Sequence, residues 1–190
     1  TNMLNAKYVI GAVNTQQGQQ LTFVENFNRN GNAWFVDSVR VVNSANDEIT
    51  TLLNINPKTT AVLQNSENAK VKNVYSANTS DQISLTSYLP NELKYNYQTT
   101  QERFVIFSET YYKNGWKAFV NGEESDFYKV NYILRGMSLP AGSGEIVFKF
   151  NPSSYRIGET ISLISSIVIV LLVIGALYYT IKGKKAKEVA

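Results

Sequence analysis

The residues best suited to chemistry in this 190-residue chain lie between Glu109 and Arg135. The run Glu109 to Trp116, ETYYKNGW, gathers three aromatic rings around a Lys-Asn-Gly turn. Sugars stack on aromatic faces and hydrogen-bond to neighbouring amides and charged groups. Tyr111, Tyr112 and Trp116 could therefore form a carbohydrate platform, with Asn131 and Arg135 of the VNYILRG segment facing the same loop. The same rings suit a sandwich corner in which they fill the core or pin the loop, which is the more ordinary use of large aromatics. Arg135, set between apolar neighbours, fits equally an ion pair holding two strands.

The sequence contains no cysteine and no histidine. Disulfides, thiolate or imidazole metal sites, and every Ser/His or Cys/His catalytic arrangement within the chain are thereby excluded. Carboxylate chemistry remains, and glycoside hydrolysis needs only two acids at a suitable separation. Glu102, Glu109, Glu123, Glu124 and Asp126 are the candidates. Glu123, Glu124 and Asp126 follow the turn pair Asn121-Gly122, where solvated charges are expected. The cluster also lacks the D-x-[DN]-x-[DN]-G spacing of a calcium loop. Neither a metal nor a cofactor is expected.

These residues need a scaffold, and the alternation of apolar side chains predicts one made of strands. Gln82 to Leu89 places Ile83, Leu85 and Leu89 on one face. Leu93 to Gln98 does the same with Leu93, Tyr95 and Tyr97, and Pro90-Asn91 turns between them. Phe104 to Phe107 is apolar on both faces, as a central strand requires. Ala118 and Val120 precede the Asn121-Gly122 turn, and Ile146, Phe148 and Phe150 follow the Pro140 to Gly144 loop. Lys7 to Val13, Leu21 to Glu25 and Trp34 to Val42 are further expected strands, divided by the glutamine-rich Thr15 to Gln20 and by the loop Asn28 to Asn32. Asn65 to Ala69 and Ser76 to Asp81 read as polar loops. Asn46-Asp47-Glu48 puts acids where a helix begins, with Ile49, Leu52 and Leu53 at helical spacing. The expected fold is mainly β: an antiparallel β-sandwich or jelly roll over residues 1–151 with one short helix.

After a linker at 152–160, Ile161 to Ile181 carries no charge and is followed by Lys182, Lys184, Lys185 and Lys187. At about 1.5 Å per residue it covers roughly 30 Å, the hydrocarbon thickness of a bilayer. A single C-terminal transmembrane helix is expected, with Tyr178 and Tyr179 at an interface and a basic tail at 182–190 in the cytoplasm. The β-domain would then lie outside the cytoplasm of a bacterial cell. Of 18 Lys+Arg and 15 Asp+Glu, four lysines and Glu188 lie beyond Ile181, leaving 14 of each in residues 1–160. A body without net charge argues against nucleic acid as a partner, whereas the lysine tail suits lipid headgroups. The opening TNMLN has neither a start methionine nor a signal peptide's basic and apolar regions, so the chain is expected to be the C-terminal piece of a longer exported protein.

FVIFSETYYKNGW at Phe104 to Trp116, KAFVNG at Lys117 to Gly122, NYILRGMSLPAG at Asn131 to Gly142 and EIVFKFNPSSYRIG at Glu145 to Gly158, in this order and leading into a terminal membrane helix, resemble the C-terminal end of the bacterial YfhO family. The likeness covers about residues 85 to 182, and more loosely NAWFV at Asn32 to Val36. The resemblance implies a large polytopic protein similar to GT-C glycosyltransferases, which take sugars from polyprenyl-phosphate carriers and add them to envelope glycans. In GT-C enzymes the catalytic acids lie in an early extracytoplasmic loop between N-terminal membrane helices, which this chain does not contain, so no catalytic residue is carried over. Two readings follow. In the first, the chain is the accessory outer domain and last helix of such a protein, with the rest of that protein, membrane lipid and an envelope glycan or polyprenyl-linked sugar as partners. In the alternative, it is a non-catalytic membrane-anchored module that binds glycans or another envelope protein. A membrane-anchored glycosidase is a third.

Overall fold

The computed structural model describes residues 2–15, 18–65 and 71–188, with the side chains of 14, 15 and 180–188 left out. The expected polar loop Asn65 to Ala69 lies outside the described residues from Ser66 onward, as do Gln16 and Gln17 of the glutamine-rich segment and the side chains of the basic tail. The fold is mainly β, with two compact units, residues 1–150 and 151–190.

The first unit opens with a single 3-10 turn (Asn2–Leu4) and the strands β1 (Tyr8–Thr15), β2 (Gly18–Glu25), β3 (Ala33–Val36) and β4 (Ser38–Val42). Helix α1 (Ala45–Leu53) follows, then β5 (Thr60–Gln64), β6 (Gln82–Leu89), β7 (Glu92–Thr99) and β8 (Arg103–Thr110). The remaining strands are β9 (Trp116–Val120), β10 (Glu123–Ser125), β11 (Tyr128–Val130), β12 (Leu134–Leu139) and β13 (Gly142–Phe150). β1 and β2 form a separate hairpin, β10-β9-β13-β7-β6 a five-stranded sheet, and β3-β8-β12-β11-β5-β4 a six-stranded sheet.

The stretch Trp34 to Val42, expected as one strand, is two. Asp37 interrupts it, because β3 pairs antiparallel with β8 whereas β4 pairs parallel with β5 at the opposite edge of the same sheet. One intervening residue spans only a few ångströms, so the six-stranded sheet must curl until its two edges meet. The junction is pinned: Asp37 N donates to Thr59 O at 2.8 Å, and Tyr75 N donates to Asp37 O at 2.8 Å. Buried Arg103 also reaches Asp37 at 3.1 Å, Asp81 at 3.3 Å and the Ser76 carbonyl.

Curling creates two cores. Trp34, Val36, Val39, Ala61, Leu63, Tyr75, Phe104, Ile106, Val130 and Leu134 fill the inside of the curl. Leu93, Tyr95, Tyr97, Val105, Phe107, Met137, Leu139, Ile146 and Phe148 lie between the two sheets. Successive residues of a strand point to opposite faces, so β8 sends Phe104 and Ile106 into one core and Val105 and Phe107 into the other. This is why its sequence is apolar on both sides. Gly136 is required by the same closeness: a Cβ there would lie 2.8 Å from Phe104 and 2.9 Å from Val130.

The β6–β7 hairpin forms as expected, with one change of phase. A bulge between Leu85 and Ser87 puts Tyr88, rather than Leu89, opposite core residue Leu93, and both Tyr88 and Leu89 remain exposed. Asn121 and Gly122 turn β9 into β10 with φ of 52° and 89°, as a two-residue hairpin demands. Helix α1 starts at the Ser44 cap, whose hydroxyl accepts from Asp47 N at 3.1 Å.

In the second unit, α2 (Ser153–Glu188) is one continuous helix. Residues 153–160, expected as a linker, are already helical. Ser153–Tyr179 is long and apolar enough to cross a membrane, its most apolar 18-residue stretch having a mean hydropathy of 2.7.

Candidate functional site

The aromatic turn and Arg135 converge at one end of the two-sheet sandwich. β12 carries Arg135 toward the five-stranded sheet, because Gly136 next to it faces the other core. A bulge positions it: Leu134 pairs with Thr110 but Arg135 with Phe107, leaving Ser108 and Glu109 unopposed. Arg135 is 3% exposed. Its Nε donates to Thr110 O at 2.9 Å, and its guanidinium carbon sits 4.3 Å from the centre of the Trp116 ring and 5.2 Å from that of Phe148. Among the described residues Arg135 has no carboxylate within ion-pairing distance. Its charge is held by ring faces and one carbonyl, a desolvated cation–π contact of about 2 kcal/mol.

Glu109, Tyr95 and Tyr88 surround this cation electrostatically. Burial pushes the Glu109 carboxyl above its ordinary 4.5, against the opposing pull of Arg135. Burial also pushes the Tyr95 phenol up and the Arg135 guanidinium down, the latter opposed by Glu109 and the two tyrosines. Arg135 Nη1 and the Tyr95 hydroxyl find no hydrogen-bond partner among the described residues.

Outside this buried layer lie the rings. Trp116 is half-buried against Phe150, 5.2 Å between ring centres, and the Tyr112 ring centre is 6.4 Å from that of the same Phe150. Tyr112 is 52% exposed, whereas Tyr111 is half-buried edge-on to Phe127 at 5.5 Å. Arg135 thus fixes Trp116, Trp116 fixes Phe150, and Tyr112 presents the face open to solvent. Such an edge can stack one sugar ring.

Asn131 is elsewhere. Fully buried at a φ of 49°, it accepts from Val62 N at 2.8 Å through Oδ1, while its own N–H donates to Val62 O at 2.9 Å. Both bonds fasten the β11–β12 turn to β5. Beside it, Tyr132 N donates at 2.7 Å to Glu48 of α1, whose other oxygen is 3.9 Å from Lys129. Of the five residues, the structure brings Tyr112, Trp116 and Arg135 together, places Tyr111 beside them against Phe127, and holds Asn131 in the strand network.

The carboxylates are dispersed. Glu102 pairs with Lys72 at 2.6 Å and Glu124 with Lys117 at 2.9 Å, both at the surface, while Glu123 and Asp126 are solvated. No group of three or more acids able to hold a metal occurs among the described residues. A second concave feature had no signal in the sequence beyond its asparagines. It is a cleft of about 390 Å³ lined by Asn2, Asn28, Asn30 and Asn56 with Arg29 and Lys58, beside the exposed Phe27. Amides, two cations and a free ring are what a polar or anionic sugar would meet there.

A two-core β-domain followed by a helix of membrane-spanning length and apolarity defines the class, a β-protein with a candidate membrane span. Residues 4–162 match the family described as "Bacterial membrane protein YfhO", and the chain belongs to that family. It is a membrane protein. The chain is 26% identical over 103 residues to "Uncharacterized protein YfhO" of Bacillus subtilis (strain 168), covering 54% of this chain and 12% of that relative. It therefore spans about an eighth of the length of the relative it matches. No solved structure matches the chain.

Proposed function

We propose that this chain is the extracytoplasmic accessory domain and last helix of a polytopic protein that transfers sugars from polyprenyl-phosphate carriers to envelope glycans. The domain holds an acceptor glycan near the membrane surface, and catalysis belongs to the preceding part of the longer protein. The observation that carries this reading is continuity: the family match covers residues 4–162, the β-domain and the first ten residues of α2, in a chain covering 12% of its relative. The lysines after Ile181 favour a cytoplasmic tail and an outer β-domain. Tyr112, Trp116 and Arg135 are the acceptor edge in this reading, with Tyr111 supporting it and Asn131 setting the turn that starts β12.

Two measurements test it. The chain lacks cysteine, so Lys117→Cys provides a unique label site; a membrane-impermeant maleimide should label it in intact cells, and labelling only after lysis rejects the orientation. In the full-length protein, Tyr112→Ala should lower glycan transfer to the acceptor at least about tenfold with unchanged membrane level, the loss of one stacked ring. Unchanged transfer removes the edge from the mechanism. The non-catalytic glycan-binding module is favoured by a separate observation, the asparagine-lined cleft. Glycan binding by the 190-residue chain that is lost on Phe27→Ala and kept on Tyr112→Ala would select it.

A further inference from the structure

The β1–β2 hairpin is the one apolar sheet among the described residues that nothing covers. Its register is regular, Tyr8 opposite Glu25 through Thr15 opposite Gly18. Residues 8–24 contain no Asp, Glu, Lys or Arg. Tyr8, Ile10 and Ala12 share one face with Leu21 and Phe23, and Ile10, Leu21 and Phe23 are 72%, 79% and 74% exposed. Tyr8, Ile10, Leu21, Thr22 and Phe23 line an open, mostly apolar depression of about 580 Å³, with Tyr8 set edge-on to Phe23 at 5.9 Å. A lone two-stranded ribbon is marginal in water, and an uncharged edge lacks the devices that keep such ribbons from pairing with other chains.

We propose that this face is the docking surface through which the β-domain packs on the preceding polypeptide of the same full-length protein. The partner is an uncharged, apolar protein surface. The inference rests on the reading of the chain as part of a longer protein. Three observations select this occupant. The hairpin lies inside the family match, which begins at residue 4, so it belongs to the family's common unit. The greater part of the matched relative lies outside the segment aligned with this chain, and a covering surface has to come from somewhere. The third is the ribbon itself. Among the described residues no third strand pairs with the outer edge of either strand, and Gln19 and Gln20 lie near the tip. Hydrocarbon cannot satisfy such edges, whereas a protein surface can.

The base of the ribbon is built to hold an orientation. Asn26 N donates to Lys7 O at 2.8 Å, and Asn26 Nδ2 donates to Ala6 O at 3.1 Å and to Asn2 Oδ1 at 3.0 Å. The chain entering at Asn2 is thus tied to the foot of the strand whose face is free.

Photo-crosslinking in the full-length membrane-embedded protein tests this, with p-benzoylphenylalanine in place of Phe23 and, as a control, in place of Tyr112. The expected product from position 23 is an intrachain crosslink to a residue preceding residue 1, identified by mass spectrometry of the digest. The paired substitution Leu21→Glu and Phe23→Glu, with the crosslinker moved to Ile10, should reduce its yield at least about tenfold, since charges would have to be buried. The same pair should leave the unfolding midpoint of the 190-residue chain unchanged. A crosslink to lipid, a crosslink to a second copy, or no crosslink overturns the proposal. Glycan transfer is scored separately, so an inactive protein with an intact crosslink rejects the transferase reading and keeps the docking surface.

Discussion

Strands β7 and β2 have the same apolar rhythm and opposite fates. Leu93, Tyr95 and Tyr97 of β7 are almost wholly buried, whereas Leu21 and Phe23 of β2 are among the most exposed side chains of the β-domain. Period-two alternation says which face of a strand would gain from leaving water, at about 25 cal/mol per Å² of apolar surface. It does not say what will cover that face. β7 is covered because the curled six-stranded sheet supplies Val105, Phe107 and Met137 opposite it. Among the described residues β2 has only its hairpin partner as a strand neighbour.

The sharpest way to break the comparison is to truncate one ring from each region. Phe148→Ala should destabilise the detergent-solubilised chain by about 3–5 kcal/mol in urea unfolding, because the cavity lies between Tyr95, Phe107 and Phe127. Phe23→Ala in the same chain should stay within about 0.5 kcal/mol. Equal losses would mean that the hairpin is already covered in this chain.

Next in size is the buried cation. Arg135→Ala removes the bond to Thr110 O and the ring stack, and should cost about 2–4 kcal/mol with a red shift of tryptophan emission. Arg135→Lys keeps the charge but not the planar stack, so it should recover only part of the loss. Full recovery would show that charge alone matters at that position.

Asn131→Ala should cost about 1–3 kcal/mol and speed hydrogen exchange at the Val62 amide, which loses its acceptor. An unchanged exchange rate would return Asn131 to the list of free amides.

The smallest effect concerns Glu109. Its folded-state pKa lies above the ordinary 4.5, so the folded chain binds the proton more tightly than the unfolded chain. Stability therefore falls as pH rises through the range from 4.5 to that raised value and is level above it. Glu109→Gln should remove this slope, making the variant's advantage grow between pH 4 and pH 7 in parallel urea titrations. A variant that loses stability over that interval would show that attraction to Arg135 outweighs desolvation.

Much of the scaffold was legible because local rules decide it. The Asn121-Gly122 turn follows from residues that tolerate positive φ, and α1 from acids at its N-terminus. The double-sided apolarity of Phe104 to Phe107 marked a strand between two cores. Less legible was anything that depends on register. The bulge at Thr86 sets Tyr88 rather than Leu89 opposite Leu93, and the break at Asp37 divides an evenly apolar stretch because its halves pair with strands on opposite edges. Trp116 and Arg135, 19 positions apart, meet because β9 and β12 face each other across the inter-sheet layer. Asn131, four residues before Arg135, is drawn instead to Val62.

The sequence by itself determined the membrane helix, the strand-built body, the absence of thiol and imidazole chemistry and the family likeness. Each is set by composition or by neighbours within a few residues, where the physics is local. Only the tertiary structure decided that one sheet closes on itself, that Arg135 is stacked rather than ion-paired, that Asn131 is a strand clamp and that the first hairpin stands uncovered. Those outcomes turn on which distant strand occupies each face, and burial is a property of the pair, not of either strand alone.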